Sequence, residues 1–207
     1  MSRLLIDQDF ETDNAPLTLG GTAMARSTTN AIDGTDLRGG DGTAKTGYFS
    51  WAIPAADRPL GGSARGFVLQ HFFKFKKVTG PTGGVIDVMG YNNSDGSNCR
   101  LRVADGANVL HWLMGADSAV TGPAAAFSAA LGTTAHNIEI EIRAERNKTP
   151  WTRVWVDGVL DIEQRLASTA ASFNGFNEIN ACGVAVAKVT WEAIWGQMKL
   201  RAAYDPQ

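Results

Sequence analysis

Apolar and polar residues alternate strictly from Asn137 to Arg143: Ile138, Ile140 and Ile142 fall on one side, and Asn137, Glu139, Glu141 and Arg143 on the other. A period of two belongs to a β-strand with one face in a core and one in water. After the turn residues Asn147 to Pro150, the run Thr152-Arg153-Val154-Trp155-Val156 alternates again and reaches Asp157-Gly158. That dipeptide suits a tight type I′ turn, after which Val159-Leu160 heads back. The pattern predicts a three-strand antiparallel meander.

The same reading extends along the chain. Leu4 to Phe10 predicts a first strand, followed over residues 12–47 by a Gly-, Thr-, Asp- and Asn-rich region of short strands and successive turns. Tyr48 to Ile53 is a short aromatic strand stopped by Pro54, and Pro54 to Gly62 connects it onward. From Gly66 to Lys76, Phe67, Leu69, His71, Phe73 and Phe75 share one face and Val68, Gln70, Phe72, Lys74 and Lys76 the other. A turn over Thr79 to Gly84 then leads to Val85 to Met89, whose continuous apolar run suits a strand buried on both sides. Cys99 to Val103 and Asn108 to Met114 read as a hairpin joined at Asp105-Gly106, and Ala124 to Leu131 as a helical turn or two. Arg165 to Asn177 reads as a loop that folds Phe173 and Phe176 onto a sheet. Ile179 to Val189 and Trp191 to Tyr204 supply the last strands, with Ile194, Gly196, Met198 and Leu200 opposing Trp195, Gln197, Lys199 and Arg201. Strands at short, even intervals with no helical period between them predict an all-β, two-sheet antiparallel sandwich in one domain over residues 1–207.

Composition narrows the function classes. Nineteen basic against 21 acidic residues, a net charge of −2 and a pI of about 5.9 supply no positive field for a phosphate backbone, so no nucleic-acid partner is expected. The amino terminus has only a three-residue apolar run before Asp7, neither a secretory signal nor a membrane span, and no later segment is long enough to span. Cys99 and Cys182 form no metal-ligand pair and read as buried thiols made in a reducing compartment, unless the sheets bring them together. Asp7, Asp9, Glu11 and Asp13 alternate, which reads as a solvated strand face or, alternatively, a cation site. Asp33, Asp36 and Asp41 are candidate ligands for calcium, a hard ion that takes clustered oxygens, although their spacing is not that of the twelve-residue helix-loop-helix loop. His71, His111 and His136 lie inside strand patterns, no G-x-S-x-G elbow occurs, and the Gly-rich stretches lack the strand-loop-helix context of phosphate loops.

The order of features resembles the concanavalin A-like lectin/glucanase superfamily and, within it, the laminin-G-like domains. The residues that carry the resemblance are Asp9-Phe10 closing the first strand, the paired strands around Cys99 to Met114, and His136-Asn137-Ile138-Glu139-Ile140 followed by Val154-Trp155-Val156-Asp157-Gly158. The closing strand Gly196-Gln197-Met198-Lys199-Leu200 also fits. The resemblance implies a jelly roll of two curved sheets whose first and last strands lie side by side.

That fold carries lectins, hydrolases and structural modules alike. A retaining glycosidase needs two carboxyl groups about 5 Å apart, which one clan of the superfamily supplies from an E-x-D-x-E or E-x-D-x-x-E strand. Here Glu139, Glu141, Arg143 and Glu145 stand in the wrong register and read as a salt-bridged row. Flat aromatic rings beside amides and carboxylates are, by contrast, what a sugar needs. Trp155 is the leading ligand candidate because it is out of phase with Val154 and Val156 and shares a face with Arg153 and Asp157. Trp112, Trp151 and Glu141 complete the candidate set. The expectation is a non-catalytic, lectin-like module, glycan-binding or structural. A signal-free chain rich in Ala, Gly and Thr looks like a bacteriophage virion component, in head decoration or the tail's receptor-binding apparatus. Its partners would be other virion proteins or a cell-surface glycan, in an oligomer or larger assembly; outside a virion it would be cytoplasmic. The alternatives are a glycoside hydrolase or polysaccharide lyase of the same fold and a pure assembly protein without ligand.

Overall fold

A computed structural model describes residues 2–21, 24–44, 47–58, 66–92, 98–104, 110–114, 120–121, 134–144, 148–165, 176–181 and 190–204. Among them run β1 (Ser2–Gln8), β2 (Thr18–Gly21), β3 (Met24–Ser27), β4 (Asp36–Ala44), β5 (Gly47–Ala52), β6 (Phe67–Thr82), β7 (Val85–Asn92) and β8 (Asn98–Ala104). There follow β9 (His111–Met114), β10 (Val120–Thr121), β11 (His136–Ala144), β12 (Trp151–Val156), β13 (Val159–Arg165), β14 (Glu178–Ala181) and β15 (Thr190–Tyr204). A single 3₁₀ turn, Ala55–Asp57, interrupts the described strands. No described helix is long and apolar enough to cross a membrane.

Two antiparallel sheets form a sandwich, an arrangement consistent with a jelly roll. The eight-stranded sheet runs β13-β12-β11-β6-β15-β4-β3, with β1 also paired to β15, and the seven-stranded sheet runs β10-β9-β8-β7-β14-β5-β2. The predicted meander is present as β11-β12-β13, and Asp157 and Gly158 both have the positive φ of a type I′ turn (51° and 80°). The first and last described strands are neighbours, Ser2 opposite Ala203.

The inward faces meet in an apolar core. Leu69, Phe73 and Phe75 of β6 and Ile138, Ile140 and Ile142 of β11 are buried on one side, and Ile86, Met89 and Tyr91 of β7 and Leu101 and Val103 of β8 on the other. Phe176 folds onto this core as expected, its ring 5.8 Å from Phe67 and 5.5 Å from Tyr91; Phe173 lies outside the described residues. β7 is buried over its whole middle, as its apolar run predicts. Cys99 is buried with a free thiol, and burial raises its pKa. Cys182, Glu145, the Asp105-Gly106 turn and the Ala124 to Leu131 segment lie outside the described residues.

Three expectations are corrected. Residues 79–82 remain in β6 because β15 continues the ladder against them, pairing Glu192 with Thr79 and Thr190 with Thr82; only Gly83 and Gly84 turn the chain. In β15, Trp195 faces Phe75 and Met198 faces Phe73, so one extra residue is inserted. That bulge reverses the phase. Trp191, Ala193 and Trp195 therefore enter the same core as Met198, Leu200 and Ala202, and the expected grouping of Ile194 and Gly196 with Met198 does not hold. Finally, β1 ends at Gln8 and the chain turns through Phe10 at φ 65°, so Asp7, Asp9, Glu11 and Asp13 share no strand face. Asp7 pairs with Lys199 at 3.5 Å, Asp9 and Glu11 accept from the backbone N–H groups of Glu11 and Thr35, and Asp13 accepts from Gln8 and the Ala15 N–H.

The edge strand β13 carries a bulge at Asp161, opposite Val154/Trp155. Both Asp161 carboxylate oxygens are buried without a hydrogen bond, and burial pushes its pKa up to about 6 from 3.8. A bulge and an inward charge are devices that keep a sheet edge from recruiting another strand. The folded state holds this proton between about pH 6 and 3.8 while the unfolded chain does not, so the carboxylate costs stability at neutral pH and less as pH falls through that window. Asp161→Asn is expected to raise stability by about 1 kcal/mol at pH 8, solvent screening having reduced the effect, and by less at pH 5. Urea titrations at the two pH values check this, and an equal shift at both contradicts it.

Candidate functional site

The register of the eight-stranded sheet orders its outward residues into rows across the strands. One row runs Leu160, Trp155, Glu139, Phe72, Lys199 and Asp7, from β13 to β1. The next runs Glu163, Arg153, Glu141, Gln70 and Arg201. Directly opposite residues share a face at about 5 Å, so each row is a line of neighbours.

The first row is hollowed at its centre. A depression of about 160 Å³ is lined by Phe72, Lys74, Asn137, Glu139, Gly158, Gln197 and Lys199, with Phe73 and Ile138 beneath. Phe72 supplies an apolar ring, Asn137 and Gln197 supply amides, and Glu139 supplies a carboxylate. Gly158, at the hairpin tip, leaves one end open. The Glu139 pKa is raised, chiefly by burial and then by the neighbouring charge of Glu141. Lys74 pairs with Asp33. An aromatic ring flanked by amides and one carboxylate can stack on the apolar face of a pyranose and hydrogen-bond its hydroxyls.

Beside this depression, residues 28–35 are strapped across the outer face. Asp36 accepts hydrogen bonds from the backbone N–H of Ile32 and, at 3.1 Å, of Asp33. Asn30 donates to Glu192 at 2.7 Å, and Lys76 donates to the Asn30 carbonyl at 3.0 Å. Arg38 meets the same Glu192 oxygen at 2.9 Å. The strap explains the candidate calcium ligands differently: Asp36 is spent on backbone amides and Asp33 on Lys74. The side chain of Asp41 lies outside the described residues. No group of three metal-ligating side chains occurs among the described residues.

The structure brings four of the predicted ligand residues to the face that holds the depression. Trp155, Arg153 and Trp151 project outward from β12 and Glu141 from β11. Trp151 lies under two guanidinium groups, Arg153 at 4.5 Å and Arg143 at 5.1 Å from its ring centroid, which cover it by cation–π contact. Arg153 donates to Glu163 at 2.6 Å, and Glu141 accepts from Gln70 at 3.0 Å. Asp157 latches the hairpin: one oxygen meets His136 Nδ1 at 2.8 Å, the other accepts the Asn137 N–H at 2.8 Å, and its own N–H donates to the Asn137 carbonyl. Trp112 is fully buried, 6.3 Å from Tyr91, and is part of the core.

Sequence reasoning missed Phe72, Asn137, Gln197 and Lys199. One signal was present: Phe72 is the lone aromatic on its face of β6, where Gln70, Lys74 and Lys76 are polar.

No family model matches the chain, and no curated protein does. Solved structures with the same fold include the endo-β-1,4-glucuronan lyase of the fungus Trichoderma reesei, at TM-score 0.63 and 10% identity over 96% of this chain and 95% of that one. The CBM2 module of the evolved Dit of Lactobacillus casei BL23 phage J-1 matches at TM-score 0.62 and 13% identity, over 100% of this chain and 97% of its own. The binding domain of Paraclostridial Mosquitocidal Protein 1 matches at 0.62 and 12%, over 95% of this chain, which spans about half (48%) of that domain. At these identities the likeness is one of fold.

Proposed function

We propose that this chain is a single-domain, non-catalytic lectin-like jelly roll of the concanavalin A-like, laminin-G-like kind, which binds a glycan on the outer face of its eight-stranded sheet. The observation that carries this reading is the depression over Phe72, where a ring, two amides and a carboxylate converge. The fold match to a phage Dit module over nearly the full length of both chains supports a place among virion proteins, and the match to the binding domain of Paraclostridial Mosquitocidal Protein 1 supports a receptor-facing role. Its partners are then a cell-surface glycan and neighbouring virion proteins.

Phe72 is half-buried, so its ring can be removed without opening the core. A stacked ring contributes about 1.5 kcal/mol, equivalent to roughly tenfold in affinity. A glycan array identifies the best binder, and Phe72→Ala is expected to weaken it about tenfold, whereas Trp151→Ala, whose ring is already covered, has little effect. An array without binders, or a Phe72→Ala variant that binds as well as the parent, overturns the proposal. The lyase match keeps a catalytic reading of the same fold in view. Ultraviolet-absorbing unsaturated sugars released from polyuronates would replace binding with cleavage.

A further inference from the structure

We infer that the outer face of the seven-stranded sheet carries a second ligand site, built on Arg100 and Arg102, that takes a carboxylate-bearing sugar such as a uronic acid residue. This extends the glycan-binding reading to the opposite sheet and does not depend on Phe72.

Cys99, Leu101 and Val103 of β8 face the core, so Arg100 and Arg102 both face outward. Two guanidinium groups at alternate positions of one strand repel each other unless an anion holds them. Asp87 of β7 is that anion: its Oδ1 lies 3.1 Å from Arg102 Nη2 and its Oδ2 3.6 Å from Arg100 Nη1. The Asp87 side chain is only 8% exposed, against 38% for Arg100 and 23% for Arg102. One sunken carboxylate under two more exposed guanidiniums leaves a net positive charge at the surface. It also leaves most of the donors unused, since each guanidinium carries five N–H groups in a fixed fork that matches a planar carboxylate. Arg102 Nε is itself buried with no hydrogen bond.

The register supplies the rest of the site. Arg100 stands opposite Gly90, Gly90 opposite Asn180, and Asn180 opposite Ser50. A Cβ at Gly90 would meet Asn180 Oδ1 at 2.4 Å, so a larger residue there would displace the Asn180 amide. The Asn180 amide therefore lies over bare backbone, steadied by donation from its Nδ2 to Glu178 Oε1 at 3.2 Å. Arg100 and Asn180 are two strands apart, about 10 Å at 4.7–4.9 Å per strand, roughly the length of two β-1,4-linked pyranose residues. A sugar lying across the strands would place its carboxylate at the guanidiniums and its hydroxyls at the Asn180 amide and the Ser50 hydroxyl. The site lies in the interior of the sheet, away from its edges, so it offers none of the free backbone that an extended peptide pairs with.

The test uses a β-1,4-linked tetraglucuronate, a neutral β-1,4-glucose tetramer and a glutamate tetrapeptide, titrated calorimetrically against the native chain, Arg100→Ala, Arg100→Lys and Phe72→Ala, with thermal melts confirming that each variant folds. The expected result is binding of tetraglucuronate in preference to both comparators. Arg100→Ala then weakens it at least tenfold, Arg100→Lys weakens it by an intermediate amount, and Phe72→Ala leaves it unchanged. No tetraglucuronate binding, equal binding of the glucose tetramer or the peptide, or unchanged binding by Arg100→Ala overturns the inference. Loss of tetraglucuronate binding in Phe72→Ala alone assigns the acid to the other sheet and also overturns it, while loss of neutral-glycan binding in Phe72→Ala bears only on the first proposal.

Discussion

Trp195→Ala is expected to remove about 5 kcal/mol of stability, a large part of what a domain of this kind possesses. The indole is fully buried and packs edge-on against Phe49 of the facing sheet at 5.7 Å, and against Phe75 and Trp191 of its own sheet at 5.4 and 6.5 Å. Its Nε1–H donates across the sandwich to the Val88 carbonyl at 2.9 Å. Val88 is the residue skipped where β7 bulges against β8, so the indole satisfies a carbonyl that the ladder leaves aside. Truncation opens a cavity worth about 3–5 kcal/mol and strands a buried acceptor worth about 1–3 more. Trp195→Phe keeps most of the packing and should lose about 1–3 kcal/mol, which the urea midpoint reads directly even where the alanine variant fails to fold. A Trp195→Phe midpoint equal to the parent's would show that the cross-sheet hydrogen bond contributes nothing.

The second large effect is acid sensitivity centred on His71. Its ring is fully buried, with Nδ1 2.8 Å from the Tyr91 hydroxyl, and burial pushes its pKa down to about 3 from 6.5. Between those values the unfolded chain binds a proton that the folded chain refuses. Stability from this group is therefore intact above pH 6.5 and lost as pH falls toward 3, at about 1.4 kcal/mol per pH unit. The Asp161 carboxyl works in the opposite direction below pH 6, so the comparison must be between variants. His71→Phe with Tyr91→Phe removes both polar partners together and avoids an orphaned hydroxyl. The double variant should show a flatter decline in stability between pH 6.5 and 4 than the parent; parallel declines would rule out His71 as the cause.

Elements whose information is local were legible in the sequence. The alternation of Ile138, Ile140 and Ile142, the Asp157-Gly158 turn and the apolar run of β7 each specify a strand or turn within a few residues, and each is present. The phase of β15 was not legible, because the extra residue between Trp195 and Met198 is defined only against β6, more than a hundred positions away in sequence. The end of β6 was misjudged for a related reason: Gly80-Pro81 has turn chemistry, but pairing with β15 holds it in the sheet. The candidate site divides in the same way. Trp151, Arg153 and Trp155 could be assigned to one face from their spacing, while neighbours that decide exposure, the Arg143 guanidinium over Trp151 and the core around Trp112, come from other strands. The role proposed for Phe72 rests on Gln197 and Asn137 on either side, and that proposed for Arg100 on Asp87 and Asn180. Such neighbours are fixed by register.

The position of β15 also shapes how the molecule can be made. It is the last strand of the described chain, yet it lies between β6 on one side and β1 and β4 on the other. Until residues 190–204 have emerged from the ribosome, those three earlier strands have no common partner, and their edges stay open to one another and to other nascent chains. Assembly of the large sheet is thus a late and collective event that spends sequence separation before any reward is returned, a regime of slow folding in which chaperone protection and low synthesis temperature favour the soluble product.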